Sequence, residues 1–220
     1  MARTFVGLGY VTVRLNFRGV GKTEGTHDNG IGEQDDVLAV LDWMRTQTEW
    51  SADVATLPLA LGGFSFGSFV ISQVARRLAE AGTPAERLAL VGTATSRWDV
   101  APVPAGTIII HGEQDDTVPL IDVLNWARPQ ELPVIVIPGA DHFFHRKLKV
   151  IRSIIVGPDD LPPPDTFTAE GLPWDRTLLE LSAGRPDCGY NYARSTSFSL
   201  PKILPDFKSN LTPDRSIRRL

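Results

Sequence analysis

Cysteine is nearly missing from this 220-residue sequence, which holds one, Cys188. A single thiol excludes an intramolecular disulfide and leaves no cysteine-based metal site, which fits a reducing compartment. Long apolar runs are missing too. No stretch approaches the 18 or so continuous apolar residues that a membrane span needs. The first residues, MARTFVGLGYVTVRLNF, lack the apolar core and cleavage site of a signal peptide and read as a folded element. Neither charge sign dominates: 22 Lys and Arg stand against 26 Asp and Glu, a formal charge of -4. That gives no broad basic surface for nucleic acid. What is left is a soluble globular protein, 42% hydrophobic and 22% charged, expected in the cytoplasm without a nucleic-acid or membrane partner.

Two regions differ in character. Residues 1–157 alternate short β-branched runs with helical patterns, whereas residues 158–220 hold 9 of the 17 prolines, including Pro162-Pro163-Pro164. Proline removes a backbone donor and fixes its own φ, so the tail is expected to be an irregular extension with a short helix at Trp174–Leu181. In the first region, Val11–Asn16, Leu57–Leu61, Leu88–Val91, Thr107–Ile110 and Pro133–Ile137 read as strands. One helix carries Val37, Val40, Leu41 and Met44 on a face, and the next carries Ile71, Val74, Ala75 and Leu78 at i, i+3, i+4 and i+7. Further helices are expected at Leu120–Ala127 and Phe144–Ile155. The order predicts an α/β fold, a mostly parallel sheet with helices on both faces and functional loops at the strand C-termini.

The strongest local signal is Gly63-Phe64-Ser65-Phe66-Gly67, set between a buried strand and an amphipathic helix. Gly-x-Ser-x-Gly in that context is the sharp strand-to-helix turn that holds a serine hydroxyl above the sheet. The helix end and the Phe66 N–H are placed to stabilise negative charge on a tetrahedral intermediate. By chance alone such a stretch is merely a glycine-rich turn. The strand before it and the helix after it favour the catalytic reading. Ser68 is the weaker nucleophile, being inside the helix without a glycine two positions earlier.

A serine needs a base, and the base needs an orienting acid. The strand Thr107–Ile110 leads into His111-Gly112-Glu113-Gln114-Asp115-Asp116, and the next strand leads into Pro138-Gly139-Ala140-Asp141-His142-Phe143. Ser65, Asp115 and His142 therefore each follow a strand, in the chain order expected of this architecture. Asp116 competes for the acid role but suits a turn or a cap for the helix starting near Val118. His145 reads as a surface group on the last helix. His111 reads as a packed, hydrogen-bonded histidine, and the same bland role is the alternative for His142. His142 and His145 lack third and fourth partners at metal-ligand spacing, so no metal and no cofactor is expected.

Gly19-Val20-Gly21-Lys22-Thr23 mimics a phosphate loop. The pattern GxxxxGK[ST] needs a glycine where Asn16 stands, and the next helix starts only around Glu33, too late to meet phosphates. This loop is instead expected to shape the mouth of the serine site.

Taken together, NFRGVGKTEG (16–25), GFSFGS (63–68), HGEQDDTVP (111–119) and PGADHFF (138–144) resemble the small, lidless α/β-hydrolases grouped with dienelactone hydrolase-like and serine-aminopeptidase-like (S33) proteins. The likeness spans about residues 2–157. It implies a Ser65–Asp115–His142 triad, an oxyanion donor at Phe66, and activity on esters, thioesters, lactones or small peptides. Serine stands where the original dienelactone hydrolases use cysteine, which argues against their reaction. The resemblance also implies a sheet of order 1-2-4-3-5-6-7-8 and about fifty residues ahead of the point matching Met1, with a second oxyanion donor. Residues 2–8 read as the end of a helix, so the fold is expected to be N-terminally incomplete and the natural chain to begin upstream. An interior strand position next to Val11–Asn16 would then stand empty, and the tail reads as a poor replacement.

The expected reaction is two-step acyl transfer at an open site flanked by Phe64, Phe66, Trp98 and Phe143. Only fifteen residues separate Val91 from Thr107, too few for a helical lid. A small-molecule acyl ester is the first substrate choice and a peptide or amide the second. The rival of another class is a non-catalytic, hydrolase-derived protein.

Overall fold

Among the described residues seven parallel strands run side by side, four of them in chain order and the last two of the chain out of it, on either side of the first. The computed structural model describes residues 1–47 and 57–157, together with the backbone of residues 176–182 and 197–198. The strands are β1 (Tyr10–Leu15), β2 (Leu59–Phe64), β3 (Arg87–Val91), β4 (Ile108–Gly112), β5 (Ile135–Ile137), β6 (Arg176–Ser182) and β7 (Ser197–Phe198). Their order across the sheet is β5-β4-β3-β2-β6-β1-β7. The helices are α1 (Ala2–Gly7), α2 (Ile31–Arg45), α3 (Phe66–Glu80), α4 (Leu120–Ala127) and α5 (Leu148–Val156).

The apolar runs of β1 to β4 are covered on both faces, as a parallel sheet requires. On one face α2 and α3 bury Val37, Leu41, Met44, Ile71, Val74 and Leu78 against Val13, Leu15, Leu61 and Leu90. On the other, α1 and α5 bring Phe5, Ile151 and Ile155 onto Tyr10, Ala60, Val91 and Ile110. No helix among the described residues is long and apolar enough to cross a membrane.

Two expectations for the tail need correction. The segment read as a helix at Trp174–Leu181 is a strand from Arg176 to Ser182; Trp174 and Asp175 lie outside the described residues. The interior position is also filled. Strand β6 pairs with β1 through Tyr10↔Arg176 to Leu15↔Leu181, and with β2 through Leu59↔Thr177 to Phe64↔Ser182. The physical reason is the unmet hydrogen bonding of β1 and β2. Two facing strands hold rows of N–H and C=O groups that must be paired when buried, and an intervening strand pairs both rows at once. Long-range pairing thus decides a segment whose local pattern has no lasting period.

A smaller correction concerns the last helix, which begins at Leu148 and not at Phe144. Phe144 and Arg146 have φ of 53° and 62°, in the left-handed region that a right-handed helix does not use.

Candidate active site

The turn from β2 to α3 is built by steric exclusion. Ser65 adopts φ 53° and ψ -122°, a conformation unusual for any residue with a side chain. Its N–H donates to the Val91 carbonyl at 2.9 Å, which ties the turn to β3. A Cβ at Gly63 would lie 2.4 Å from the Gly67 carbonyl oxygen, so the sharp turn requires glycine there. Ser65 is the cap of α3, and Phe66 supplies the first N–H of the helix, one of the donors left without an intrahelical acceptor.

His142 stands on the loop after β5, and its ring bridges the two other groups. Ser65 Oγ lies 2.9 Å from His142 Nε2, and Asp115 Oδ2 lies 2.7 Å from His142 Nδ1. Because a carboxylate only accepts, Nδ1 carries the hydrogen and Nε2 faces the serine hydroxyl as acceptor. Both loops depend on small residues. A Cβ at Gly112 would meet the Ala140 carbonyl oxygen at 2.5 Å, and Gly92, at φ 57°, lies against the imidazole.

Asp115 is buried and its other oxygen is occupied, with Oδ1 accepting from the Thr117 N–H at 3.0 Å and the Val118 N–H at 2.7 Å. Burial pushes its carboxyl up. The hydrogen bonds from His142 and the Val118 N–H, with the nearby histidines, outweigh burial and hold it below the usual aspartate value. Asp116 points to solvent, receives the Thr117 hydroxyl at 3.3 Å, and does not cap α4, which starts at Leu120 after Pro119.

The remaining candidates fall into plain structural places. His111 is fully buried, and its Nε2–H donates to the Val118 carbonyl at 2.8 Å with Asp115 Oδ2 at 3.4 Å. His145 is exposed and pairs with Asp141. Ser68 is buried; its hydroxyl donates to the Ser65 carbonyl and accepts from the Ala94 N–H at 3.1 Å. Ser72 accepts from the Ala101 N–H at 3.0 Å, and Gln73 donates to the Asp99 carbonyl at 2.7 Å. These three side chains of α3 fasten the connection from β3 to β4, which carries no helix.

Aromatic rings gather on either side of Ser65 in the chain. Phe64 and Phe143 pack at 5.1 and 5.2 Å from the His142 ring. Phe66 packs at 5.0 Å from Trp98, and Trp98 stacks on Phe69 at 5.1 Å. Sequence reasoning missed one member of the second group. His27 lies 5.0 Å from Phe66, with Nδ1 at 3.0 Å from the fully buried Glu33. The one local hint was Gly30-x-x-Glu33 at a helix start, since Glu33 accepts the Gly30 N–H at 2.8 Å.

The loop from β1 to α2 holds no phosphate cradle. Arg18 crosses it to make two hydrogen bonds with Asp36, at 2.8 and 2.7 Å, over Gly32, where any Cβ would collide with the guanidinium.

The fold is similar to that of solved structures. A serine hydrolase without a lid from Xanthomonas campestris superposes with a TM-score of 0.56 at 35% identity, over 64% of this chain and 62% of its own. An alpha-beta serine hydrolase homologue from Coxiella burnetii gives 0.51 at 34% identity, over 64% and 65%. The chain carries a lidless α/β-hydrolase fold. An uncharacterized protein of Rickettsia prowazekii (strain Madrid E) is 34% identical over 163 residues, 70% of this chain and 66% of that protein. The chain thus spans just under two thirds of these relatives. Residues 1–99, which include the serine turn, match the family described as X-Pro dipeptidyl-peptidase (S15 family). The α/β-hydrolase fold and the juxtaposed serine, histidine and aspartate support a hydrolase.

Proposed function

We propose that the protein is a serine hydrolase acting by acyl transfer on small carboxylic esters or thioesters. The observation that carries this reading is the unbroken line Ser65–His142–Asp115, with separations of 2.9 and 2.7 Å. In it, His142 Nε2 takes the Ser65 proton as Oγ attacks the carbonyl carbon. Asp115 keeps the ring in that tautomer and offsets the charge of the imidazolium. The Phe66 N–H stabilises the oxyanion, and Phe64, Trp98 and Phe143 flank the acyl group. His142 then returns its proton to the leaving group and activates water for deacylation.

The match of residues 1–99 to the S15 family favours a second reading, hydrolysis of a small peptide or amide. Both are tested together by a fluorophosphonate probe and by turnover of p-nitrophenyl butyrate and a dipeptide p-nitroanilide. Ser65→Ala should abolish labelling and turnover with an unchanged circular dichroism spectrum. A parent protein that neither labels nor turns over any of these would instead favour the non-catalytic reading.

A further inference from the structure

Near the end of β4 stands a buried histidine outside the triad. By the alternation of a strand, His111 shares a face with Ile109, which clusters with the apolar Val118, Val123, Ala127 and Leu132. The ring is fully buried, and its Nδ1 has no hydrogen-bond partner among the described residues. A buried polar atom without a partner lowers stability, and an apolar ring of similar size would avoid that loss. The other nitrogen is fully engaged. Nε2 lies 2.8 Å from the Val118 carbonyl oxygen and 3.4 Å from Asp115 Oδ2. A carbonyl only accepts, so Nε2 carries a hydrogen in either protonation state of the ring. The fold thus gains one hydrogen bond from this ring and forgoes another, so packing alone does not account for an imidazole here.

Both contacts of Nε2 lead to the same carboxylate. Val118 is held at both ends: its carbonyl accepts from His111, and its N–H donates to Asp115 Oδ1 at 2.7 Å. Asp115 Oδ2, which accepts from His142 Nδ1 at 2.7 Å, is also the oxygen that lies 3.4 Å from His111 Nε2. That second contact is too long for a full hydrogen bond, but the N–H dipole still favours the charged oxygen where it stands. We propose that His111 is a positioning residue for the hydrolytic reaction: its Nε2–H fixes Asp115, through Val118 and directly, so that Oδ2 stays turned towards His142. This rests on the serine hydrolase reading above. A carboxylate freer to rotate holds the His142 ring less firmly against Ser65, and misplacing a base slows turnover without weakening binding. The expected loss is about tenfold in kcat with KM unchanged. It is smaller than the loss on removing the Asp115 charge, because the Thr117 and Val118 N–H groups still hold Oδ1.

The test uses the full chain with p-nitrophenyl butyrate at pH 8, with kcat expressed per site labelled by a fluorophosphonate. His111→Gln carries an amide N–H to about the place of Nε2, His111→Asn is one methylene too short, and His111→Phe has no donor. The expected kcat is within about threefold of the parent in His111→Gln and about tenfold lower in the other two, at the same KM. A residue that only fills space would lower the thermal midpoint and the labelled fraction without ordering kcat by the place of the N–H. Equal kcat per labelled site in all four proteins therefore overturns the role of His111 alone, and so does a His111→Gln no faster than His111→Asn. If His111→Phe gives no soluble protein, the comparison of His111→Gln with His111→Asn decides by itself. An unlabelled parent overturns the hydrolase reading and His111 with it.

Discussion

Asp115 shows how a single carboxylate is made to do one task. Its two oxygens receive hydrogen bonds from two backbone N–H groups and one imidazole, whereas its neighbour Asp116 meets only a threonine hydroxyl at the surface. Amidation should therefore separate them sharply. Asp115→Asn is expected to lower kcat by about 10⁴-fold, the scale seen when a triad aspartate loses its charge. Asp116→Asn should change it by no more than a few fold, and stopped assays on p-nitrophenyl butyrate decide between them. The same residue ties stability to acid. Its folded pKa lies below the unfolded value of 3.8, so its contribution is present above that value. It is lost as pH falls through the folded pKa, below 3.8. Urea midpoints measured down a series from pH 6 to pH 3 should fall less steeply in Asp115→Asn than in the parent. The meeting of Ser65, His142 and Asp115 was legible from sequence because each belongs to a short motif that follows a strand. The place of His27 was not legible, since its meeting with Phe66 depends on a loop folded back over α3.

At the scale of elements, the loop from β1 to α2 is held by a clamp that a motif search misreads. Arg18 reaches Asp36, which is almost fully buried, and any side chain at position 32 would block that reach. Arg18→Ala leaves a buried carboxylate without its partner, a change that costs about 3 kcal/mol or more when both groups are buried. Arg18 is about a quarter exposed, so the expected loss in urea unfolding is nearer 2 kcal/mol. Arg18→Leu combined with Asp36→Leu should recover much of it. Gly19-Val20-Gly21-Lys22 mimics a nucleotide loop, but the sequence already lacks the glycine needed at Asn16, and the clamp between Arg18 and Asp36 came to light only in the structure. Helix boundaries were legible to within a few residues where apolar spacing marked a buried face, as for α2 and α3. The start of α5 was not, because nothing in the spacing records that Phe144 and Arg146 turn into the left-handed region.

For the whole molecule, the decisive element is the one that local patterns hid. Residues 176–182 carry leucines at 178, 179 and 181, without a lasting period, and pairing with β1 and β2 makes them a strand. Proline at position 179 tests this directly. Leu179 pairs with Val13 on one side and Leu61 on the other, so Leu179→Pro removes a ladder donor in the middle of the sheet. Leaving one buried acceptor unpaired costs roughly 1–3 kcal/mol, and the ring adds to that. A lower thermal midpoint, with loss of Ser65 labelling at the same temperature, is the expected outcome. An unchanged midpoint would mean that the sheet does not depend on β6.

The central strand also sets a schedule for assembly. Tyr10 meets Arg176 across 166 positions of chain, and Leu59 meets Thr177 across 118. During synthesis β1 and β2 therefore leave the ribosome long before the strand that joins them, each with an open edge able to pair with another chain. Contacts so distant form slowly, and exposed edges in that interval favour association between nascent molecules. A protein arranged in this way is expected to need chaperone protection until residue 182 has emerged, and to give more soluble product when translation and growth are slowed by cold.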